Sequence, residues 1–258
     1  MSEPEIIRTR FVVVGSGVAG LWTACELCSH GPTLVVTKRR IDDTSTHHAQ
    51  GGIAVAMCPG DSPSFHAQDT LAAGAGLCDE PAVEVLTREG PERVMGLVAL
   101  GARFDQYGGE LHCRREAAHG EPRIIHAHGD ATGAEVQRAL DAACAQRDNL
   151  TVLEYAQAMR LLVRGGEVVG LDVVLVGEGR RIRVLADATV MASGGYGAVY
   201  TYSTSPRVAT GDGMALAYRA GAALEDMEFV QFHPTALSTE ESPAPLISEA
   251  VRGEGAVL

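Results

Sequence analysis

Val14-Gly15-Ser16-Gly17-Val18-Ala19-Gly20 follows the apolar run 11–14 and precedes a helix-like run over 21–27. This is G-x-G-x-x-G at the joint of a first strand and a first helix, the arrangement of a dinucleotide-binding turn. Each glycine has a task. Gly15 permits the tight turn, Gly17 lets the backbone approach a pyrophosphate with no Cβ in the way, and Gly20 lets the helix pack close to the sheet. The start of the helix offers N–H groups and a positive dipole end to phosphate. A second apolar run, 33–36, completes strand–helix–strand within about thirty residues, the length of a βαβ unit. An NAD-binding turn usually places Asp or Glu at the end of the second strand, for the ribose 2′-OH. Thr37-Lys38-Arg39-Arg40 stands there instead, which favours another dinucleotide. Lys38 is a candidate partner for a phosphate or an adenosine; the plain alternative is a solvated lysine.

The chain has 258 residues, 46% of them apolar, with 30 glycines, and reads as a globular α/β protein. Its net charge of −12 leaves no basic stripe for nucleic acid. No apolar run is long enough to span a bilayer. The first ten residues are charged and lead straight into the first strand, leaving no room for a signal peptide. The expectation is a cytoplasmic protein without a membrane partner. Cysteines stand at Cys25, Cys28, Cys58, Cys78, Cys113 and Cys144. Cys25 and Cys28 share a helix face with no second pair to match, so they read as small buried side chains rather than a metal or redox site. Nothing in the pattern demands a disulfide.

Ser45-Thr46-His47-His48-Ala49-Gln50-Gly51-Gly52 is polar and then glycine-rich, a loop able to run its backbone along a cofactor. No third ligand is spaced near His47 and His48, so they read as loop or pocket-wall residues and no metal is expected. Helices are predicted over 64–73, 80–100 and 132–146, and the stretch 104–129 reads as irregular. Strands are predicted over 151–154, 158–163, 168–176 and 181–185, with Gly165-Gly166 as a hairpin turn. This antiparallel insert leads to a further buried strand, 188–192, ending in Ser193-Gly194-Gly195, which suits a second backbone contact with the cofactor. Gly211-Asp212-Gly213 opens a helix over 214–220, where Asp212 either caps the helix or accepts a cofactor hydroxyl.

Taken in order, the glycine turn, 45–52, Ala192 to Gly195, Gly211-Asp212-Gly213, Gln231-Phe232-His233-Pro234-Thr235 and Arg252-Gly253-Glu254-Gly255 resemble the succinate dehydrogenase/fumarate reductase flavoprotein family. The resemblance covers the whole chain. It implies a Rossmann-like FAD-binding domain with an antiparallel β insert, incomplete over 1–228, and the start of a capping or substrate domain over 229–258. The family's chains run about twice as far, so later substrate-binding residues would lie beyond Leu258. Arg115-Glu116-Ala117-Ala118-His119, then Arg123-Ile124-Ile125-His126-Ala127 and Asp130-Ala131-Thr132-Gly133, resemble the branch that oxidises an amino dicarboxylate. Respiratory members usually carry a flavin-linked histidine six residues before the Gly-Gly pair. That place is Ser45 here, which implies noncovalent FAD.

By the same resemblance Ser16, Gly17, Val18 and Ala19 would lie on the FAD pyrophosphate. Lys38 and Ser45 through Gly52 would line the cofactor, Gln157 and Ala158 would reach its adenine end, and Ser193, Gly194 and Asp212 would sit beside it. Glu116 would meet a substrate ammonium. His233 and Ser248 would bind a carboxylate, and Glu249 with Arg252 would match a proton relay. The implied reaction is oxidation of L-aspartate, or another small dicarboxylate, to iminoaspartate, with O2 or fumarate as acceptor, at the head of NAD biosynthesis. It allows self-association or contact with the next enzyme of the pathway. The residues alone leave plainer readings open: a packed His233, a surface ion pair between Glu249 and Arg252, a respiratory succinate or fumarate subunit, or a segment that binds FAD without catalysis. Two places depart from the family pattern. Ala117-Ala118 replaces a glycine pair, and Ser248 replaces a threonine.

Overall fold

The computed structural model describes residues 4–247 and Val251. Strand β1 (Glu5–Val14) leads into helix α1 (Val18–Leu27) and strand β2 (Thr33–Val36). Then follow β3 (Ile53–Ala54), α2 (Pro63–Ala73), α3 (Glu80–Ala99) and the short strands β4 (Gln106–Tyr107), β5 (Glu110–Leu111), β6 (Cys113–Arg114) and β7 (Ile124–Ile125). Helix α4 (Thr132–Ala145), strands β8 (Leu150–Leu153), β9 (Ala156–Arg164), β10 (Glu167–Leu175) and β11 (Arg181–Met191), and helix α5 (Asp212–Arg219) complete the order. Two compact units emerge. One runs up to His47 and again over Leu140–Pro245; the other contains His48–Ala139.

The first unit is built on a six-stranded sheet in the order β8-β2-β1-β11-β10-β9. The β8, β2, β1 and β11 strands are mutually parallel, while β10 and β9 extend the sheet as an antiparallel hairpin. This is the α/β architecture with an antiparallel insert that the sequence implies. Its core includes Val12, Leu34, Leu171, Val173, Ile182 and Val184. The buried ends of β1 (Val12 to Val14) and β2 (Leu34 to Val36) are apolar because helices and sheet neighbours cover parallel strands. The hairpin turn is Gly165-Gly166, with φ of +62° and +86°. Both glycines occupy the left-handed region that a tight two-residue hairpin turn requires.

Two sequence expectations change. The expected strands 181–185 and 188–192 are one strand, β11, paired with β1 from Glu5↔Ile182 to Val14↔Met191. Asp187 and Ala188 are exposed in its middle, and that break in the apolar run disguised a continuous strand. Its second half is only partly buried, not a core strand. Strand β1 likewise starts at Glu5 rather than Phe11, because its alternating first half pairs with β11.

In the second unit α2 is capped by the Ser62 hydroxyl, which accepts from Phe65 N–H, and α3 by Asp79, which accepts from Ala82 N–H. The stretch expected to be irregular holds β7 between β3 and β6. Cys58 and Cys113 form a disulfide with Cα atoms 6.5 Å apart, a span usual for such bonds. The cysteine pattern had not called for it. Cys25 and Cys28 are buried as expected, and Cys25 Sγ lies 3.5 Å from Cys144 Sγ. Among the described residues no helix is long and apolar enough to cross a membrane, and no group of three or more His, Cys, Asp or Glu is placed to hold a metal ion.

Candidate functional site

In the first unit the carboxyl ends of β1, β2 and β11 meet the N-terminus of α1 around a cleft of about 470 Å³. Ligands of open α/β sheets bind at such strand ends. Gly15 has φ +112°, and a Cβ there would overlap the Ala192 carbonyl. Its N–H donates to Val36 O (2.9 Å), and Ala192 N–H donates to Val14 O (2.9 Å), so the turn ties three strand ends together. A Cβ on Gly20 would overlap the Gly15 carbonyl. Gly17 differs: its Cβ would meet one atom within 4 Å, Thr46 Oγ1 at 3.2 Å. Thr46 Oγ1 also accepts from Val18 N–H (2.9 Å) and so holds the helix start against the Ser45-Thr46 segment.

Thr37 occupies the place of the usual acid. It is buried and accepts a hydrogen bond from Ser16 Oγ (2.9 Å). A neutral link therefore stands where an NAD site would hold a carboxylate. A carboxylate paired with Lys38 is supplied at the cleft by Asp212 instead. Lys38 Nζ donates to Asp212 Oδ2 (2.7 Å) and Thr210 Oγ1 (2.6 Å), and Thr210 Oγ1 donates to Asp212 Oδ1 (2.6 Å). Gln157 Nε2 reaches Asp212 Oδ2 at 3.5 Å. Burial disfavours the Asp212 carboxylate, yet the Thr210 hydroxyl and the Lys38 ammonium hold its pKa below the usual carboxylate range. Gly211, with φ +74°, is the N-cap of α5, so Asp212 faces Lys38 rather than capping the helix.

The cleft gathers Gly15, Ser16, Gly17, Val18, Ala19, Lys38, Ser45, Thr46, Gln157, Ala158, Ser193, Gly194 and Asp212 from the sequence candidates. These residues fit a dinucleotide. The backbone at Gly17 and Gly194 is open where a side chain would intrude, the α1 N-terminus supplies phosphate donors, and polar groups stand at Lys38, Gln157 and Asp212. Gly20 lies beneath the turn rather than in the cleft. Sequence reasoning missed Val208, Ala209, Met214 and Leu224, which also line it. Apolar residues flanking Gly211-Asp212-Gly213 were the signal available. His47 N–H donates to Thr44 Oγ1 (3.0 Å) and His47 does not line the cleft. His233 also lies outside it, its Nδ1 accepting from Thr235 N–H (3.3 Å). Ser248, Glu249 and Arg252 lie outside the described residues.

His48, Ala49, Gln50, Gly51 and Gly52 belong to the second unit. Ala49 O accepts from Gly133 N–H (2.9 Å). A Cβ on Gly52 would overlap Ile124 and come within 2.8 Å of His126 Nε2, so only glycine lets this backbone lie against β7. Strand β7 pairs with β6, Cys113↔Ile125 and Arg114↔Ile124, and closes the loop that carries Glu116. That loop is pinned at several points. Arg123, with no exposed side-chain surface, forks onto Asp61 (Nη2–Oδ1 2.8 Å, Nε–Oδ2 2.9 Å) and reaches Asp69 (Nη1–Oδ2 2.7 Å). Gly120 N–H donates to Asp69 Oδ2 (2.7 Å), and that bond and Arg123 hold the Asp69 carboxyl below its usual range. Burial and the Arg123 charge push His66 and His119 below the usual imidazole range, so both are neutral near pH 7. The Glu116 side chain is 18% exposed, and its Oε1 lies 3.3 Å from His126 Nε2.

Ala118, in the same loop, has φ +68°, a left-handed conformation that costs an L-residue about 1–2 kcal/mol. Glycine would adopt it freely. Ala118→Gly is therefore expected to stabilise the protein by roughly 0.5–1 kcal/mol after the extra chain entropy of glycine is offset. Thermal unfolding should show a rise of about 1–4 °C, and an unchanged or lower midpoint would refute the strain.

The FAD binding domain profile matches residues 10–258. The chain is 52% identical over 261 residues to L-aspartate oxidase of Streptomyces coelicolor, covering 98% of this chain and 45% of that protein. It is 45% identical over 262 residues to the chloroplastic L-aspartate oxidase of Arabidopsis thaliana, covering 96% and 40%. It thus spans less than half the length of these curated relatives. Among solved structures, E. coli quinol fumarate reductase FrdA superposes with a TM-score of 0.90 at 31% identity, over 97% of this chain and 43% of that one. Mycobacterium smegmatis Sdh1 does so with a TM-score of 0.89 at 33% identity, over 96% and 44%. The turn, the cleft and these likenesses agree: the chain belongs to the FAD-binding domain family, among the succinate dehydrogenase/fumarate reductase flavoproteins.

Proposed function

We propose that this chain is the cofactor-binding portion of an L-aspartate oxidase, acting in the cytoplasm at the first step of NAD biosynthesis. The observation that carries the reading is Glu116, a carboxylate held on a pinned loop in a chain whose curated relatives are L-aspartate oxidases. FAD, when bound, would supply the two-electron acceptor for a hydride from the substrate Cα, with the substrate nitrogen giving up two protons to leave iminoaspartate and with O2 or fumarate as the final acceptor.

The chain's own residues do the rest. The backbone of Ser16, Gly17, Val18 and Ala19 receives the pyrophosphate, with Gly15 and Gly20 shaping the turn. Lys38, Ser45, Thr46, Gln157, Ala158, Ser193, Gly194 and Asp212 line the same cleft, and with serine at position 45 the cofactor is held noncovalently. His47, His48, Ala49, Gln50, Gly51 and Gly52 are assigned to the cofactor on the resemblance alone. So are His233 and Ser248 to a substrate carboxylate, and Glu249 with Arg252 to a proton relay. Residues 229–258 begin a capping domain on the same ground. Glu116 meets the substrate ammonium by a charge-assisted hydrogen bond, which succinate has no group to make.

In the protein at its full native length, Glu116→Gln should lower kcat/KM for L-aspartate on the order of 10- to 100-fold, the loss of one charged hydrogen bond. Reduction of fumarate should change by less than about three-fold. Equal losses for both substrates would remove the assignment. The likeness to FrdA and Sdh1 favours a second reading, a succinate or fumarate oxidoreductase. Flavin retained in an acid-precipitated pellet would favour that reading, because it would mean a covalent link.

A further inference from the structure

His126 stands between two features that the sequence names separately. Its side chain is 5% exposed. On one side the Gly52 backbone lies so close that a Cβ would come within 2.8 Å of His126 Nε2. On the other, the same Nε2 lies 3.3 Å from Glu116 Oε1. The opposite ring nitrogen, Nδ1, is buried and has no hydrogen-bond partner among the described residues. A buried N–H without a partner costs more than a buried acceptor lone pair in the same place. The tautomer that fits this surrounding carries its hydrogen on Nε2, facing the glutamate, and leaves Nδ1 as the idle acceptor.

The backbone that carries the ring is tied down. His126 directly follows β7, and its carbonyl accepts from Asp105 N–H (2.7 Å). Arg123, three residues earlier, is clamped by Asp61 and Asp69. Glu116 sits on the same loop, beside the exposed Ala117 and Ala118 and away from the clamp at Arg123. A carboxylate at the end of three rotatable bonds needs something rigid to aim it.

We propose that His126 is a positioning residue for Glu116. Its Nε2 edge stands against one carboxylate oxygen, 3.3 Å away, and leaves the other for the substrate ammonium, and this arrangement separates an amino dicarboxylate from a plain one. The inference rests on reading Glu116 as the ammonium partner. The charged and titratable groups around the ring do not include a second carboxylate within ion-pair distance among the described residues, so the ring's service goes to Glu116.

The test uses the FAD-loaded protein at its full native length and two polar replacements. Glutamine can present an amide N–H where Nε2 stands, whereas asparagine reaches only the Nδ1 level. His126→Asn should raise KM for L-aspartate on the order of ten-fold with kcat within about two-fold, a coupling typical of contacting residues. Inhibition by succinate, and the rise in melting temperature that succinate brings, should not move. His126→Gln should stay within about three-fold of the parent, and in a Glu116→Gln background His126→Asn should add nothing. Equal damage by both replacements, or succinate binding weakened along with aspartate, would overturn the proposal. So would full additivity with Glu116→Gln. If Glu116→Gln itself fails to separate aspartate from succinate, the substrate reading beneath falls, and that result is distinct from a selective Glu116 with an indifferent His126. Nitrogen NMR of the imidazoles needs no variant to fold: the Nε2–H tautomer at His126 supports the inference, and the Nδ1–H tautomer defeats it.

Discussion

Arg123→Leu is expected to destabilise the protein by about 3–5 kcal/mol, the cost of leaving one partner of a buried ion pair without the other. The arginine side chain has no exposed surface, and Asp61, which it grips through two parallel bonds, is 1% exposed. Leucine would strand that carboxylate in the interior and take one partner from the part-exposed Asp69, whose Oδ2 now accepts from both Arg123 and Gly120 N–H. The melting temperature should fall by at least about 6 °C, since each kcal/mol is worth about 2–4 °C in a chain of this size. Because the pair anchors the loop ahead of Ile124, the fall should come with weaker aspartate binding. Replacing Asp61 by leucine in the same chain should return part of the loss, because no charge is then left buried. A single Arg123→Leu chain that melts like the parent would show that the fork is not a structural clamp.

Gly15→Ala should abolish stable FAD binding. Gly15 combines φ +112° with a Cβ position inside the Ala192 carbonyl, both of them backbone constraints with no flexible side chain to yield. Alanine must push β1 away from the end of β11 or break the Gly15 N–H to Val36 O bond (2.9 Å) that sets the cleft. The backbone strain alone costs about 1–3 kcal/mol. We expect an FAD affinity lowered at least about 100-fold, measured by quenching of flavin fluorescence, together with a lower melting temperature. Gly17→Ala makes the informative contrast. Its Cβ would meet only the Thr46 hydroxyl, so the unliganded chain should keep its melting temperature and lose affinity alone. Equal melting losses for the two substitutions would mean that Gly17 serves the fold and not the ligand.

The parts of the fold that follow from one-dimensional pattern were legible. The β1–α1–β2 start, the capped helices α2 and α3, and the glycine hairpin all rest on local chemistry that a sequence displays. The rest depends on pairing across long separations. Strand β11 looked broken at Asp187 because its continuity comes from β1, more than 170 residues earlier. The short strands β3, β6 and β7 are too brief to carry a period, and only their mutual pairing makes them strands.

At the site, the cleft residues were visible because glycines and their flanking runs mark backbone approach. Arg123 and His126 stand in the sequence only as parts of a motif. Their importance lies in burial, and a lone Arg before Ile124-Ile125 says nothing about Asp61 or Asp69 until the loop closes. The Cys58–Cys113 bond was hidden for the same reason, since it joins segments 55 residues apart.

The most direct measurement is anaerobic addition of L-aspartate, and separately of succinate, to the full-length protein loaded with FAD, followed by the visible flavin absorbance. The flavin is expected to be noncovalent, bleached by aspartate and left coloured by succinate. A preparation that takes up no flavin, or one bleached equally by both acids, would contradict it.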